Sequence, residues 1–415
     1  MIFEPYKDEL AIINQIHKYN DSEYVVIRLT KTMIDKNNID ANALFRDLLK
    51  NNGFVDYDFL ERGGNNGKKF QTEFVFNDNF IEVTMNFYRV KNSRGDRRFS
   101  IFGIKKMFDN NLIDEGDLLY ISFNKRKSIP VITIVNVTNN LPSTRVLLKL
   151  FGEDRVNESL SRLIPMVRKI AKKGYHINSK GVGKIFPKDA GDTLESLLGI
   201  RTNNSQEADF EGIIELKSKT SKTMDTLFTL RPQFDNTPVA DFEPNDRSRV
   251  SAFARLYGYY SEKHIGFKSL YITIGSESAP QNSFGFFLFV NEEERKIELR
   301  KLIDDGNDIL TAYWTFGDLE EELHKKHPAT LWVKAETRMN DRGIGEFKYI
   351  QAELSRSPQF ATFLTLVKTG GITYDWRGYT TPEGAYSGKN HGNAWRIKNK
   401  QRSLLFGSME TINLQ

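Results

Sequence analysis

The stretch from Gly191 to Thr220 limits what this chain can fold into more than any other, because it places charge on a segment with the pattern of a buried strand. Residues 209–216 predict a strand, and two adjacent isoleucines within it predict burial on both faces. Glu215 and Lys217 are two residues apart, so their side chains share one face of that strand. Buried charge is costly unless it is paired or bound to metal, so the pattern favours a functional site over a solvated strand edge.

Asp209, Glu215 and Lys217 together have the chemistry of metal-dependent phosphodiester cleavage. Asp209 lies at the entrance to the strand, where a bend brings its carboxylate beside that of Glu215. Two carboxylates and a backbone carbonyl suit one or two Mg²⁺ ions, which prefer oxygen ligands in an open site. A lysine beside the metal orients or deprotonates a water and stabilises charge on a phosphate.

The segment before this strand predicts a short helix over residues 192–200. Asp192 or Thr193 caps it, Glu195 falls in its first turn, and three leucines at helical spacing form an apolar stripe. A polar turn over residues 201–206 connects the helix to the strand. Glu195 is therefore a further acid that can join the site.

These residues also carry a resemblance. The segments TLESLLGI and ADFEGIIELKSKT, separated by a polar turn with two asparagines, resemble the MvaI/BcnI family of restriction endonucleases and, more distantly, the mismatch-repair nickase MutH. In that family a Thr-Leu-Glu helix precedes a PD-(D/E)-x-K strand, and Ala208 stands here in place of the proline. The resemblance implies that Asp209, Glu215 and Lys217 are catalytic, that the first two bind Mg²⁺, and that Glu195 is the nearby helix acid.

Residues 1–145 indicate a small β-barrel, because they contain many short predicted strands with turns between them and two short helices. Residues 98–123, RFSIFGIKKMFDNNLIDEGDLLYISF, resemble the B3-type DNA-binding barrel of plant transcription factors and of the EcoRII effector domain. The usual tryptophan is missing, with Ile104 near its place. A generic barrel without DNA contact is the alternative.

The B3 resemblance implies two arms that grip the DNA major groove. The nearest equivalents are the polar loop after Arg28, which contains Lys31, and a second basic loop at either 62–69 or 94–98. The candidate DNA-binding residues of this part of the chain are Lys31, Arg94, Arg97 and Arg98.

The segment from Tyr374 to Ile397 combines aromatic, glycine, charged and amide residues, which predicts a long functional loop rather than a core element. Its candidates for base recognition are Asp375, Arg377, His391 and Arg396. Arginine and histidine suit guanine, and aspartate suits the cytosine amino group. The alternative is a surface loop anchored by its tryptophans.

The length of 415 residues allows two or three domains. We expect a barrel at 1–145, a linker at 146–154 and a nuclease domain at 155–415, in an α+β or α/β protein with a mixed central sheet in the second domain. The absence of cysteine excludes disulfides, thiolate zinc sites and cysteine nucleophiles. His324 and His327 are predicted to be surface residues at a helix end, with metal binding as the alternative.

The net charge of +5 is compatible with a nucleic-acid partner. No apolar run approaches a membrane span and no signal-peptide pattern is present, so we expect a cytoplasmic protein without a membrane partner.

The resemblances together imply a type II restriction endonuclease, of the IIE kind, that uses Mg²⁺ to cut double-stranded DNA at a C/G-rich palindrome of the CCWGG type. We expect a monomer that binds one or two copies of its target. A cognate DNA methyltransferase belongs to the same system without forming a stable complex. Two alternatives remain: a MutH-like strand-nicking repair endonuclease, and a non-catalytic B3-type DNA-binding regulator.

Overall fold

The chain divides into two units, residues 1–158 and 159–415. The structure is a computed structural model, and it describes residues 5–20, 22–124, 131–138, 140–152, 154–200, 207–220, 224–303, 306–356, 358–407 and 409–414. The predicted polar turn at 201–206 lies outside the described residues.

The first unit packs five helices against one mixed sheet. Its helices are α1 (Lys7–Ile16), α2 (Lys31–Lys36), α3 (Ala43–Asn51), α4 (Ile104–Asp109) and α5 (Thr144–Phe151). Its strands are β1 (Tyr24–Arg28), β2 (Ile39–Asp40), β3 (Lys68–Phe76), β4 (Asn79–Arg89), β5 (Arg97–Ile101), β6 (Leu118–Asn124) and β7 (Val131–Asn136). The strand order is β1-β6-β7-β3-β4-β5-β2. The β3–β7 pair is parallel and the other pairs are antiparallel.

Two local predictions for this unit need correction. The predicted linker at 146–154 is largely helix α5, whose apolar face (Val146, Leu147, Leu150 and Phe151) is buried against the sheet. The predicted polar loop at Lys31 is the first turn of α2. Thr30 caps that helix by accepting a hydrogen bond from the Met33 backbone N–H at 3.3 Å. In both places the helix is short, and the polar residues on either side of it favour the prediction of a loop.

The second unit, together with residues 155–158 just before it, contains seven α-helices and fourteen strands in its described residues. The helices are α6 (Arg155–Lys172), α7 (Asp189–Leu197), α8 (Pro238–Phe242), α9 (Arg249–Tyr257), α10 (Phe316–Lys326), α11 (Phe360–Lys368) and α12 (Arg402–Leu405). The strands are β8 (His176–Val182), β9 (Ile214–Lys219), β10 (Asp225–Phe228), β11 (Tyr259–Tyr260), β12 (Lys268–Ile274), β13 (Phe286–Asn291), β14 (Lys296–Leu302), β15 (Asp308–Thr315), β16 (Ala329–Met339), β17 (Ile344–Arg356), β18 (Ile372–Thr380), β19 (Gly388–Asn390), β20 (Ala394–Ile397) and β21 (Glu410–Ile412).

Three sheets organise this unit. The first has the order β21-β17-β16-β9, with β8 also paired to β17. Its edge strand β9 runs parallel to β16, and the remaining pairs are antiparallel. The second has the order β10-β20-β18-β12-β11, with β19 paired to β18, and the third is β13-β14-β15. The result is the mixed α+β architecture expected for the second half of the chain.

The prediction of a long loop over residues 374–397 is wrong. Most of the segment lies in strands β18, β19 and β20. Tyr374, Trp376 and Trp395 are fully buried in the main core, and the Trp376 ring stacks on Phe253 with centroids 3.9 Å apart. Burial of these large aromatic side chains outweighs the poor strand propensity of the glycines and amides around them.

No helix among the described residues is long and apolar enough to cross a membrane.

Candidate active site

A tight turn in front of β9 sets the position of Asp209. The Phe210 and Ile214 backbones exchange hydrogen bonds of 2.9 and 3.0 Å, and the turn between them passes through positive φ at Glu211 and Gly212. The chain therefore folds back, and a carboxylate oxygen of Asp209 accepts a hydrogen bond from the Leu216 N–H at 2.9 Å. The strand is thus shorter than predicted, and Asp209 reaches it through a turn.

Glu215 and Lys217 share one face of β9, as their spacing predicts. Glu215 is only 1% exposed, and its Oε1 contacts the ammonium of Lys217. Leu216 between them is buried and belongs to the opposite face. A buried carboxylate of this kind needs a cation beside it, so the pairing explains how the strand tolerates both charges.

Lys326, at the end of α10, was not singled out from the sequence. Its Nζ lies 3.0 Å from Oε2 of Glu215 and 3.8 Å from Oδ1 of Asp209. It also donates to the backbone carbonyl of Glu207 at 3.0 Å. No local spacing links Lys326 to the strand, because the contact is formed only when α10 packs beside the turn.

Glu195 lies on α7, which packs beside β9. The helix begins three residues earlier than predicted, at Asp189, and the Asp189 carboxylate accepts a hydrogen bond from the Phe186 N–H at 2.9 Å. Glu195 therefore falls in the last turn and not the first. Of the predicted leucine stripe, Leu194 and Leu198 are buried but Leu197 is exposed.

Burial and mutual repulsion alter the acidities of the site. Burial, followed by the charges of Asp209 and Asp192, raises the pKa of Glu195 to about 7. Burial and then the charge of Glu215 raise the pKa of Asp209. Burial disfavours the ammonium of Lys217, but contact with Glu215 outweighs this and raises its pKa. At neutral pH the lysine is therefore a cation, whereas Glu195 is poised to exchange a proton.

The described residues contain no ready-made cluster of three or more histidine, aspartate or glutamate side chains for a metal. The donors that fit a metal are the Asp209 and Glu215 carboxylates and the Glu207 carbonyl, since these three oxygens already surround one cation. Hard oxygen donors of this kind match Mg²⁺.

A cavity of about 490 Å³ opens beside Lys217, over strands β9, β16 and β17. Its charged lining comprises the cations Lys217, Lys219, Lys334, Lys400 and Arg402 and the carboxylates Asp225 and Glu353. The two carboxylates are already paired, because Asp225 lies 2.6 Å from Lys219 and Glu353 lies 3.3 Å from Arg402. Lys334 and Lys400 are exposed, which leaves the cavity with a basic rim.

The four candidates in residues 374–397 lie on β18, on β20 and between β19 and β20. Asp375 is 1% exposed, accepts from the Thr273 hydroxyl at 2.7 Å and from Arg396 at 2.8 Å, and contacts Arg377. Asp375 is therefore buried and paired with the two arginines. This corrects the expectation that it contacts a cytosine. The Arg377 side chain is 43% exposed, and His391 is also exposed.

The basic candidates of the first unit are partly neutralised. Arg97 pairs with Asp58 at 2.7 Å and Arg98 with Asp40 at 2.9 Å. Lys31 lies 3.5 Å from Asp35 and over the ring of Phe108, whereas Arg94 is exposed in the turn before β5. Arg97 and Arg98 are the first two residues of β5, so they do not belong to the predicted loop.

His327 is fully buried, which corrects the expectation of a surface residue. Its Nε2 lies 2.9 Å from the Leu227 carbonyl, which can only accept, so Nε2 carries the proton and Nδ1 accepts from the Thr330 hydroxyl at 2.8 Å. Burial, followed by the positive charge of Lys217, lowers the pKa of His327 to about 3. Both ring nitrogens are engaged in the core, so His327 is a structural residue and not a metal ligand.

Comparisons with known proteins identify the family of the second unit. Residues 164–406, more than half of the chain, match the model of the MvaI/BcnI restriction endonuclease family. The solved complex of restriction endonuclease MvaI with its cognate DNA substrate is 22% identical over 62% of this chain and 99% of MvaI, with a TM-score of 0.50. The structure of MvaI without DNA is also 22% identical, over 62% of this chain and 98% of that one, with a TM-score of 0.37.

No curated protein sequence matches the chain. At 22% identity, the structural likeness to MvaI shows the fold, whereas the family match covers the residues that build the site. Asp209, Glu215, Lys217, Glu195 and Lys326 all lie within the matched range. The chain belongs to the MvaI/BcnI restriction endonuclease family, and it is a site-specific deoxyribonuclease.

Proposed function

We propose that this chain is a type II restriction endonuclease with a PD-(D/E)xK site, in which Asp209 and Glu215 hold Mg²⁺ and both strands of double-stranded DNA are cut. The observation that carries the proposal is the pair of carboxylates. They meet around a single cation, Lys326, while Lys217 contacts the other oxygen of Glu215. A site that draws a cation between two carboxylates has the donor chemistry that hard divalent ions prefer.

The side chains divide the work of hydrolysis. The chemistry that a bound Mg²⁺ supplies is polarisation of the phosphodiester and acidification of a water. Lys217 donates from Nζ to the attacked phosphate or to the water that attacks it. Glu195 holds a water or a further ion, and with a pKa of about 7 it takes a proton from water near neutral pH.

The cavity beside Lys217 supports a path for the DNA backbone. Lys334 and Lys400 on its rim are proposed to contact phosphates on either side of the cleaved bond. Arg377, Arg396 and His391 are proposed to recognise bases, with the buried Asp375 holding the two arginines in place.

Similarity to MvaI implies a target of the CCWGG type. The first unit is proposed to be a B3-like effector domain that binds a second copy of the target through Lys31, Arg94, Arg97 and Arg98, as in type IIE enzymes. The protein is proposed to act as a monomer. A cognate methyltransferase is proposed to protect the host DNA without forming a stable complex with it.

The test uses the full chain and a plasmid carrying the target. The target sequence is identified first, by digesting a defined genomic DNA in the presence of Mg²⁺ and sequencing the ends of the fragments. Asp209→Ala, Glu215→Ala and Lys217→Ala should each abolish cleavage, while binding to the same DNA in Ca²⁺ stays within about threefold because the recognition residues are intact. Glu195→Gln should slow cleavage without abolishing it. Full cutting by any of the three alanine variants would refute the assignment.

The same digest separates the alternatives. A restriction endonuclease converts supercoiled plasmid to the linear form, whereas a MutH-like nickase stops at open circles. A non-catalytic regulator leaves the plasmid supercoiled at every Mg²⁺ concentration. The three charged residues retained at the site favour the restriction endonuclease over the regulator.

A further inference from the structure

We infer that Lys326 is a displaceable counter-ion of the metal site: its ammonium and the divalent metal compete for the same oxygens, and Lys326 must leave for the metal to bind. The inference rests on the proposed metal site at Asp209 and Glu215. It adds a residue to that site and an exchange of cations within it.

The geometry around Nζ of Lys326 carries the inference. The ammonium lies 3.0 Å from Glu215 Oε2, 3.8 Å from Asp209 Oδ1 and 3.0 Å from the Glu207 carbonyl oxygen. Among the described residues, Lys326 is the one cation within 4.0 Å of both carboxylates. Mg²⁺ takes the same kind of oxygens at about 2.0–2.1 Å. Two cations cannot share one set of ligands at these distances, because their mutual repulsion is strong in a half-buried site.

Lys217 does not have this role. It contacts Oε1 of Glu215, on the other side of that carboxylate, and lies on the same strand. Lys326 instead reaches in from the end of α10, where its side chain is 16% exposed and borders solvent. Its flexible four-carbon stem allows the ammonium to swing out while the helix stays in place.

The position of Lys326 between the two carboxylates has a physical consequence. Two carboxylates held side by side and largely buried repel one another, and a cation between them removes that repulsion. Lys326 therefore stabilises the ligand geometry before metal arrives. The consequence is a weaker metal affinity than the two carboxylates alone would give, because each metal bound must first displace an ammonium.

The first test measures Mn²⁺ binding to the full chain without DNA, by isothermal titration calorimetry. Lys326→Met should bind Mn²⁺ at least about tenfold more tightly than the unmodified chain, since the competing charge is gone. Lys325→Met is the matched control, because Lys325 is the exposed neighbour on the same helix end and carries the same charge. That control should change the affinity by less than about twofold.

Unchanged or weaker Mn²⁺ binding by Lys326→Met would overturn the inference. If Asp209→Ala and Glu215→Ala still lose Mn²⁺ in that case, the proposed metal site survives and only the exchange is wrong. Retention of Mn²⁺ by both alanine variants would instead overturn the metal site, and the inference with it.

A second test uses the unmodified chain, so it does not depend on how a variant folds. Lysine acetylation is followed by mass spectrometry with and without Mn²⁺. Displacement predicts that Mn²⁺ increases acetylation of Lys326 while Lys325 is unaffected. Acetylation of Lys326 that stays constant or falls when Mn²⁺ is added would contradict displacement.

Discussion

Single residues in the second unit show how burial decides the role of a titratable group. Glu215 and His327 are both buried, but their partners differ. Glu215 contacts two lysines, whereas His327 has two neutral hydrogen-bond partners. The carboxylate is therefore held as part of a charged cluster, whereas the imidazole is held neutral. The same low-polarity environment thus supports chemistry in one place and packing in the other.

The neutral state of His327 predicts a pH dependence of stability. Its pKa is about 3 in the folded chain, below the ordinary value of 6.5, so the unfolded chain takes up the proton first as pH falls. The stability from neutral His327 is fully present above pH 6.5 and is lost as pH falls towards about 3. Relative to His327→Gln, the unmodified chain should lose about 1.4 kcal/mol of unfolding free energy per pH unit below 6.5.

Urea denaturation at pH 7.5, 6.0 and 5.0, followed by tryptophan fluorescence, measures this difference. All four tryptophans, at positions 314, 332, 376 and 395, lie in the second unit, so the signal reports on the unit that contains His327. A difference between the two proteins that is independent of pH would show that folding does not lower the pKa of His327.

At the level of secondary structure, β18 and β20 present two arginines from a rigid base. Register places Thr373 opposite Arg396, and Asp375 lies between the guanidinium groups of Arg377 and Arg396. Arginines held by a buried carboxylate on paired strands lose less conformational freedom on binding than arginines on a mobile loop. Strand placement therefore strengthens the proposal of base recognition.

Alanine at Arg377 should weaken binding to the target by about 1–3 kcal/mol and leave binding to random DNA nearly unchanged. Asp375→Asn should have a similar effect without any direct contact, because the arginines lose their anchor. Fluorescence anisotropy in Ca²⁺ measures both affinities. The combined Lys334→Ala and Lys400→Ala variant is the control, since lost phosphate contacts weaken both DNAs equally and reduce the salt dependence. Equal losses on both DNAs for Arg377→Ala would mark it as a phosphate contact.

At the scale of the whole molecule, the chain joins its nuclease unit to a first unit that has its own sheet and core. If the first unit binds a second copy of the target, two sites on one DNA raise the effective local concentration to about the millimolar range. Plasmids with two sites should then be cut faster than plasmids with one. A short duplex carrying the target should also stimulate cleavage of the one-site plasmid.

Alanine at Lys31, Arg94, Arg97 and Arg98 together should remove this stimulation and leave the basal rate on a one-site plasmid unchanged. The ion pairs of Arg97 and Arg98 are at the surface, so their loss costs little stability. Gel analysis of cleavage rates with and without the added duplex measures both quantities. Equal rates under all conditions would make the first unit a simple affinity anchor.

The sequence by itself determined the features that depend on near neighbours in the chain. The two-residue spacing of Glu215 and Lys217 required a shared strand face, and short apolar runs separated by turns predicted most strands of the first unit. The absence of cysteine excluded whole classes of site. The family resemblance rested on the same short segments and is confirmed by the match over residues 164–406.

Only the tertiary structure decided which distant groups meet. Lys326 reaches Asp209 and Glu215 because α10 ends beside the turn, and no periodicity in the chain encodes that contact. Burial of His327 and of the strands in residues 374–397 likewise depends on what packs over them. Local patterns specify which side chains share one face of a helix or strand. Long-range packing decides which other residues contact that face, and these contacts set the charge and the role of each group.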